Sequence, residues 1–417
     1  MAPMRSQEPV QGLGLLVCVA AVLLVPSRAP AQAPSIEEAE ALMAAGRYRD
    51  VRERAAAALK GSPPAREAAI WKLVIAESFY MEGDLEEASK SYKELAHDAP
   101  APLGTEAMLK AAKCHLRMWD TEGAQEALKS LSSVEEPGLT VERDELAAIA
   151  TFLSGKQDEA RKGFEALPRK SGAGWHYLGL VAFNGGEFQK AVEYFQKAIA
   201  EEPDDYYNYL YKASSLLELG RLDDARAAFK DVAKIAETPE VSQLMGRLEL
   251  RAERFQEAEA RFRKALAAAP GHAEAQFGLA TTLRRLGKTK EAQEAFKKFQ
   301  ELHQAQQDSL KRAYVLDQKR AANPKDPGPA EELALHYFAN NDPSAAERTS
   351  WLALRADPRR IVPRLCLART LVSVGRYREA SVHYQRILRQ DPGQTAAQSE
   401  FRALVEQHAR RADAPGR

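Results

Sequence analysis

The sequence predicts an all-α array of repeated two-helix units, and three observations carry that prediction. Nine times a small residue, always Ala or Gly, is followed twelve positions later by Ala, at 76/88, 112/124, 148/160, 179/191, 213/225, 246/258, 280/292, 334/346 and 368/380. Four residues after the second Ala a large apolar side chain recurs, as Tyr92, Leu128, Phe164, Phe195, Phe229, Phe262, Phe296 and Tyr384. Between the two small residues a turn signal falls at Gly83, Gly155, Gly186, Gly220, Gly287 or Gly375. Each unit therefore reads as two short helices that cross at a small-residue contact. The second Ala recurs at intervals of 36, 36, 31, 34, 33, 34, 54 and 34 residues, so the period is close to 34.

The copies differ in clarity. Gly172 to Asp205 is the clearest, with Trp175, Leu178, Gly179, Gly186, Phe188, Ala191, Phe195, Ala198 and Pro203 in register. On these residues the chain resembles the tetratricopeptide repeat proteins over most of its length. The resemblance implies a right-handed superhelical solenoid of about nine or ten repeats. Copies three and four are degenerate, and Trp119 stands where copy three needs its turn glycine. A first, weaker copy runs through Ala39, Leu42, Gly46, Tyr48 and Pro63, with Val51 in place of Ala.

The amino terminus reads as a secretory signal peptide over residues 1–31. Arg5 precedes the apolar run Gly12 to Pro26, and the small-residue stretch Ala29-Pro30-Ala31 favours cleavage after Ala31. The run is short for a membrane span, which needs about 20 apolar residues. Cys18 lacks the small residues that a lipid-attachment signal places before it. The expectation is an exported protein, periplasmic or secreted, or one anchored by an uncleaved leader, with no membrane span after cleavage. Cys114 and Cys366 then remain in an oxidising compartment. Both sit among apolar residues on first helices and read as core residues without a disulfide.

The interval of 54 places the boundaries. It holds an extra twenty residues within Phe296 to Asn323, a stretch without Gly or Pro that reads as one helix, and Pro324, Pro327 and Pro329 follow. The expected division is a main superhelix over 32–302, a connecting helix and Pro-rich break over 303–326, and a shorter array over 327–392. A capping helix over 393–410 carries Ala397, Phe401, Leu404 and Val405, and a disordered tail follows over 411–417.

Composition excludes some partners. Lys plus Arg equals Asp plus Glu at 59 each, which leaves no global field to draw in nucleic acid or a membrane surface. The search for linear chemical motifs is also empty. Gly287-Lys288-Thr289 ends like a phosphate-binding loop, but Thr282 replaces its first glycine and the stretch falls at a repeat turn. The eight histidines form no HExxH pattern, and no GxSxG elbow exists. No metal, cofactor or catalytic residue is assigned, and the expectation is a non-enzymatic protein.

What remains is surface. In the family that the chain resembles, positions 2, 5, 9, 12 and 13 of the repeat tend to face a concave groove. That register implies His176, Leu180, Phe183 and Asn184 in copy five, and Tyr207, Leu210, Ser214 and Leu217 in copy six with Tyr211 at the edge. It implies Gln243, Arg247, Leu250 and Arg251 in copy seven, and Phe277, Thr281, Arg284 and Arg285 in copy eight. Aromatic and Arg side chains are the usual anchors of binding surfaces. The expected partner is an extended or helical protein segment, with an acidic or C-terminal carboxylate near Arg247, Arg251 and Arg284. The Lys and Asn pairing with which chaperone-binding relatives grip a terminal carboxylate is absent from the clear copies. Two functions stay open: a scaffold or adaptor of the cell envelope, or an accessory, substrate-presenting subunit of a separately encoded glycosyltransferase or protease.

Overall fold

The computed structural model describes residues 35–134 and 136–412, with side chains to Glu406. No strand occurs among the described residues, and the helices follow one another in pairs. The pairs are Ile36–Ala44 with Tyr48–Lys60, Ala65–Glu82 with Leu85–Asp98, Leu103–Arg117 with Thr121–Lys129, Pro137–Leu153 with Gln157–Ala166, and Gly172–Asn184 with Phe188–Glu201. They continue as Tyr206–Glu218 with Leu222–Ile235, Pro239–Arg251 with Phe255–Ala268, Ala273–Arg285 with Thr289–Ala322, Pro327–Ala339 with Pro343–Ala356, and Ile361–Ser373 with Tyr377–Gln390. Thr395–Ala412 follows as a single helix. The chain is a helical solenoid. The expected signal peptide and residues 413–417 of the expected tail lie outside the described residues, while Arg411 and Ala412 are helical rather than tail.

Each hairpin turns through one residue with positive φ. At Gly46, Gly83, Gly155, Gly186, Gly220, Gly287 and Gly375 the missing Cβ removes the steric cost of that conformation. Where the sequence lacks the glycine, the turn is kept by Trp119 (φ 56°), Glu253 (φ 58°) and Asn341 (φ 56°). The backbone path is thus common to all repeats, and three of them hold it with a side chain that disfavours it. Several helices start at a side-chain cap, as where Asp84 accepts from the Glu87 amide (3.2 Å) and Asp120 from the Gly123 amide (3.1 Å).

Packing explains the small residues. A Cβ added at Gly179 would sit 2.7 Å from the Phe195 ring, and one at Gly246 would sit 2.8 Å from the Phe262 ring. The Phe262 ring also touches Gly278, in the next repeat. One aromatic side chain therefore fills the crossing inside its own hairpin and the joint to its successor, which is how a stack of hairpins shares one continuous core. The weakest copy in sequence is built in the same way, with Ala39, Val51 and Ala55 all at 0% exposure.

The second helix of the eighth hairpin runs for 34 residues, Thr289–Ala322, and absorbs the extra sequence without a break. Pro327 then occupies the first turn of the next helix, where its missing amide is harmless. The compact units follow other lines than the two expected arrays. One holds Ser154–Tyr314, and the other joins the chain up to Leu153 with the chain from Val315 onward.

Within the latter unit the tenth hairpin packs on the second and third. Arg364 donates to Glu86 (3.0 Å), Arg386 reaches Asp84 and Glu86, and Arg117 lies 3.0 Å from Glu379. Repeats far apart in sequence therefore touch within this unit. The acidic start of Leu85–Asp98 faces basic side chains of Ile361–Ser373 and Tyr377–Gln390, and Trp71, Leu85, Leu365 and Leu371 belong to one buried apolar cluster. Cys114 and Cys366 are both buried, and neither forms a disulfide.

Candidate functional site

The residues singled out by the repeat register lie in the unit Ser154–Tyr314, on the first helices of its hairpins. These helices pack on one another in sequence, Gly172–Asn184 on Tyr206–Glu218, that on Pro239–Arg251, and that on Ala273–Arg285. Side chains at neighbouring register positions on successive helices are thereby brought into one face.

Five of the singled-out residues, His176, Leu180, Leu210, Leu217 and Gln243, are buried. They pack the face from below instead of presenting it. His176 Nδ1–H donates to Asn208 Oδ1 (2.7 Å), Asn208 Nδ2 donates to Asp205 Oδ2 (3.0 Å), and Asp205 accepts from the Tyr207 amide (3.0 Å). This chain fixes the start of Tyr206–Glu218 relative to the preceding first helix, and so sets where Tyr207 and Tyr211 stand. Asp205 is thus the N-cap of Tyr206–Glu218.

Above that layer lies an aromatic ladder. Phe183 and Tyr211 meet edge to face with centroids 5.4 Å apart, and Tyr211 stacks on Phe195 at 5.5 Å. Phe183 also meets Phe188 at 5.6 Å. Tyr207 and Tyr211 are half-buried, and burial pushes both phenols up to about 12, so each keeps its proton as a donor at neutral pH. Ser214 and Thr281 are half-buried, while Asn184 is exposed. Phe277 is 48% exposed and pairs with Phe299 at 5.0 Å.

The basic half is partly spoken for. Arg247 donates to Glu218, and Arg251 donates to the Leu217 carbonyl (2.7 Å) and lies 3.7 Å from Glu218. A partner's carboxylate would have to displace Glu218 to reach this pair. Arg284 is exposed, with no ion-pair partner among the described residues. Sequence reasoning missed Glu218, although the same register places it at position 13 of the sixth copy. It also missed Asn208, for which a buried amide facing His176 one repeat earlier is the only signal.

Among the described residues no group of His, Cys, Asp and Glu could hold a metal ion, and no helix is long and apolar enough to cross a membrane. The geometry is that of a helical-repeat interaction surface. Models of the tetratricopeptide repeat match residues 36–102, 183–248 and 244–309, so the chain carries repeats of that type, which are protein-interaction modules. Solved structures similar to it include a tetratricopeptide repeat protein from Parabacteroides merdae, with 18% identity over 66% of this chain and 99% of that one and a TM-score of 0.41. Another is the C-terminal part of a repeat-containing protein from Cytophaga hutchinsonii, with 18% identity over 60% of this chain and 95% of that one and a TM-score of 0.39. A third is MamA from Desulfovibrio magneticus, with 20% identity over 40% of this chain and 96% of that one and a TM-score of 0.37. A search of curated proteins found no match.

Proposed function

We propose that the chain is a scaffold or adaptor of the cell envelope that holds an extended or helical segment of a partner protein on the first-helix face of residues 154–314. The observation that supports it is the contact of Phe183 with Tyr211 across consecutive first helices, with Tyr207 one turn before Tyr211, all three half-buried. Such rings bury a large area with few rotors to freeze, and two of them carry a hydroxyl that keeps its proton. The partner's acidic or terminal carboxylate would meet Arg284 first, with Arg247 and Arg251 available once Glu218 is displaced. The apolar run at residues 12–26 is the ground for the envelope location.

Co-purification from cross-linked cells tests the reading. The wild-type chain should carry a discrete partner, and the double variant Tyr207→Ala, Tyr211→Ala should lose it while keeping its helix content. Undiminished recovery with the double variant would remove the binding site from this face. Amino-terminal sequencing of the same preparation should begin at Gln32, and a cytosolic chain beginning at Met1 would remove the envelope location.

A further inference from the structure

Ser89, His115 and Asp120 lie on two successive hairpins and form one hydrogen-bonded line. His115 Nδ1 is 2.7 Å from Asp120 Oδ2, and His115 Nε2 is 3.0 Å from Ser89 Oγ. These are the contacts and the atom order of a nucleophilic serine with its base and orienting carboxylate, a constellation recognised by geometry and not by sequence order. We propose that Ser89 is an acyl-accepting nucleophile that cleaves carboxylic esters with a modest apolar acyl group.

The surroundings are built for this arrangement. Asp120 is fixed by the Gly123 amide (3.1 Å) and by Arg355 (2.8 Å), and Arg355 also donates to the Trp119 carbonyl (3.2 Å). Burial pushes the Asp120 carboxyl up, but the hydrogen bonds from His115 and the Gly123 amide, with Arg355, outweigh it and hold it at about 2. An ionised Asp120 places the imidazole proton on Nδ1, so Nε2 presents its lone pair to the Ser89 hydroxyl. Gly123 makes the approach possible, because a Cβ there would lie 2.6 Å from His115 Nδ1.

All three side chains line a pocket of 430 Å³ within the unit that joins the two ends of the chain. Its apolar wall is Met118, Trp351, Leu354 and Pro358, and its size suits a small ligand. Lys93 lines the same pocket one helical turn after Ser89, is exposed, and has no ion-pair partner among the described residues. Its ammonium is the group placed to stabilise the oxyanion.

In the step, Ser89 Oγ bonds to the ester carbonyl carbon while its proton passes to His115 Nε2. The carbon–alkoxy bond then breaks and the leaving alcohol takes that proton. Water next attacks the acyl-serine, gives a proton to Nε2, and releases the carboxylic acid with Ser89 restored. Nothing beyond ester and water is consumed. The inference is independent of the partner-binding face.

The test treats the full chain with an alkyl fluorophosphonate, maps the adduct by mass spectrometry, and follows p-nitrophenyl butyrate hydrolysis. The expected result is a single adduct on Ser89 and measurable turnover, both abolished in Ser89→Ala, which removes only a hydroxyl. His115→Gln should slow both by at least about 100-fold, and Lys93→Met, at an exposed position, should slow turnover without changing the melting curve. Folded wild type without a Ser89 adduct, or equal labelling rates in the wild type and a folded His115→Gln, would overturn the proposal.

Discussion

Arg117, on the first helix of the third repeat, lies 3.0 Å from Glu379, on the second helix of the tenth. Glu379 is also bound by Arg376 (2.6 Å), which in turn holds Glu347 (2.8 Å), and all of these side chains except Arg117 are under a tenth exposed. Burial pushes the Glu379 carboxyl up, yet Arg117 and Arg376 together hold it below its ordinary value. Glu379→Gln removes the shared charge and leaves two guanidinium groups in a low-dielectric site. The expected loss is about 3–5 kcal/mol. Urea unfolding followed by tryptophan fluorescence measures it well, because Trp71, Trp119 and Trp351 lie in this unit and only Trp175 lies in the other.

The shared aromatic joint predicts a second effect. Gly246→Ala places a methyl 2.8 Å from the Phe262 ring, which is itself at 1% exposure and has nowhere to retreat. The variant should lose about 1–3 kcal/mol. Thermal melts followed by circular dichroism check this, with Gly271→Ala as control, since a Cβ at Gly271 meets nothing within 4 Å.

Glu253 turns its hairpin at φ 58° with an exposed side chain. Glu253→Gly relieves a left-handed conformation that costs about 1–2 kcal/mol, less the flexibility that glycine adds to the unfolded chain. A net gain of about 1 kcal/mol is expected, read as a rise in denaturation midpoint with unchanged slope. No change or a loss would mean that the Glu253 side chain holds the turn.

Asp120 makes stability depend on pH. Its folded value of about 2 lies below the ordinary 3.8, so its contribution is fully present above 3.8 and is lost as pH falls through 2. The shift corresponds to about 2 kcal/mol. Asp120→Asn should therefore be less stable than wild type at pH 6, and the gap between them should narrow steadily from pH 4 to pH 2. A gap that stays constant over that range would contradict the assignment.

The hairpins were legible because their determinants are local and periodic. Gly179, Ala191 and Phe195 meet across a single turn, so spacing alone reveals the contact. Turns without glycine were harder, since Trp119, Glu253 and Asn341 adopt a conformation that only the neighbouring hairpins impose. The packing of the tenth repeat on the second and third was not legible, because Arg117 and Glu379 are separated by most of the chain and no period connects them. Ser89, His115 and Asp120 were hidden for a similar reason. Their alignment depends on how two hairpins cross, and no linear motif records it. On the candidate partner-binding face the register could not separate His176, which packs beneath the surface, from Tyr207, which is half-buried upon it, because burial depends on how successive repeats stack.

Site-specific photo-cross-linking in cells tests most directly whether the first-helix face of residues 154–314 holds a partner protein. A benzophenone side chain placed at Tyr207 should give a discrete adduct, and one placed at Lys264, on a second helix and 52% exposed, should give none. Equal adducts at both positions would remove any preference for this face, and adducts at Lys264 alone would move the interaction to the second helices.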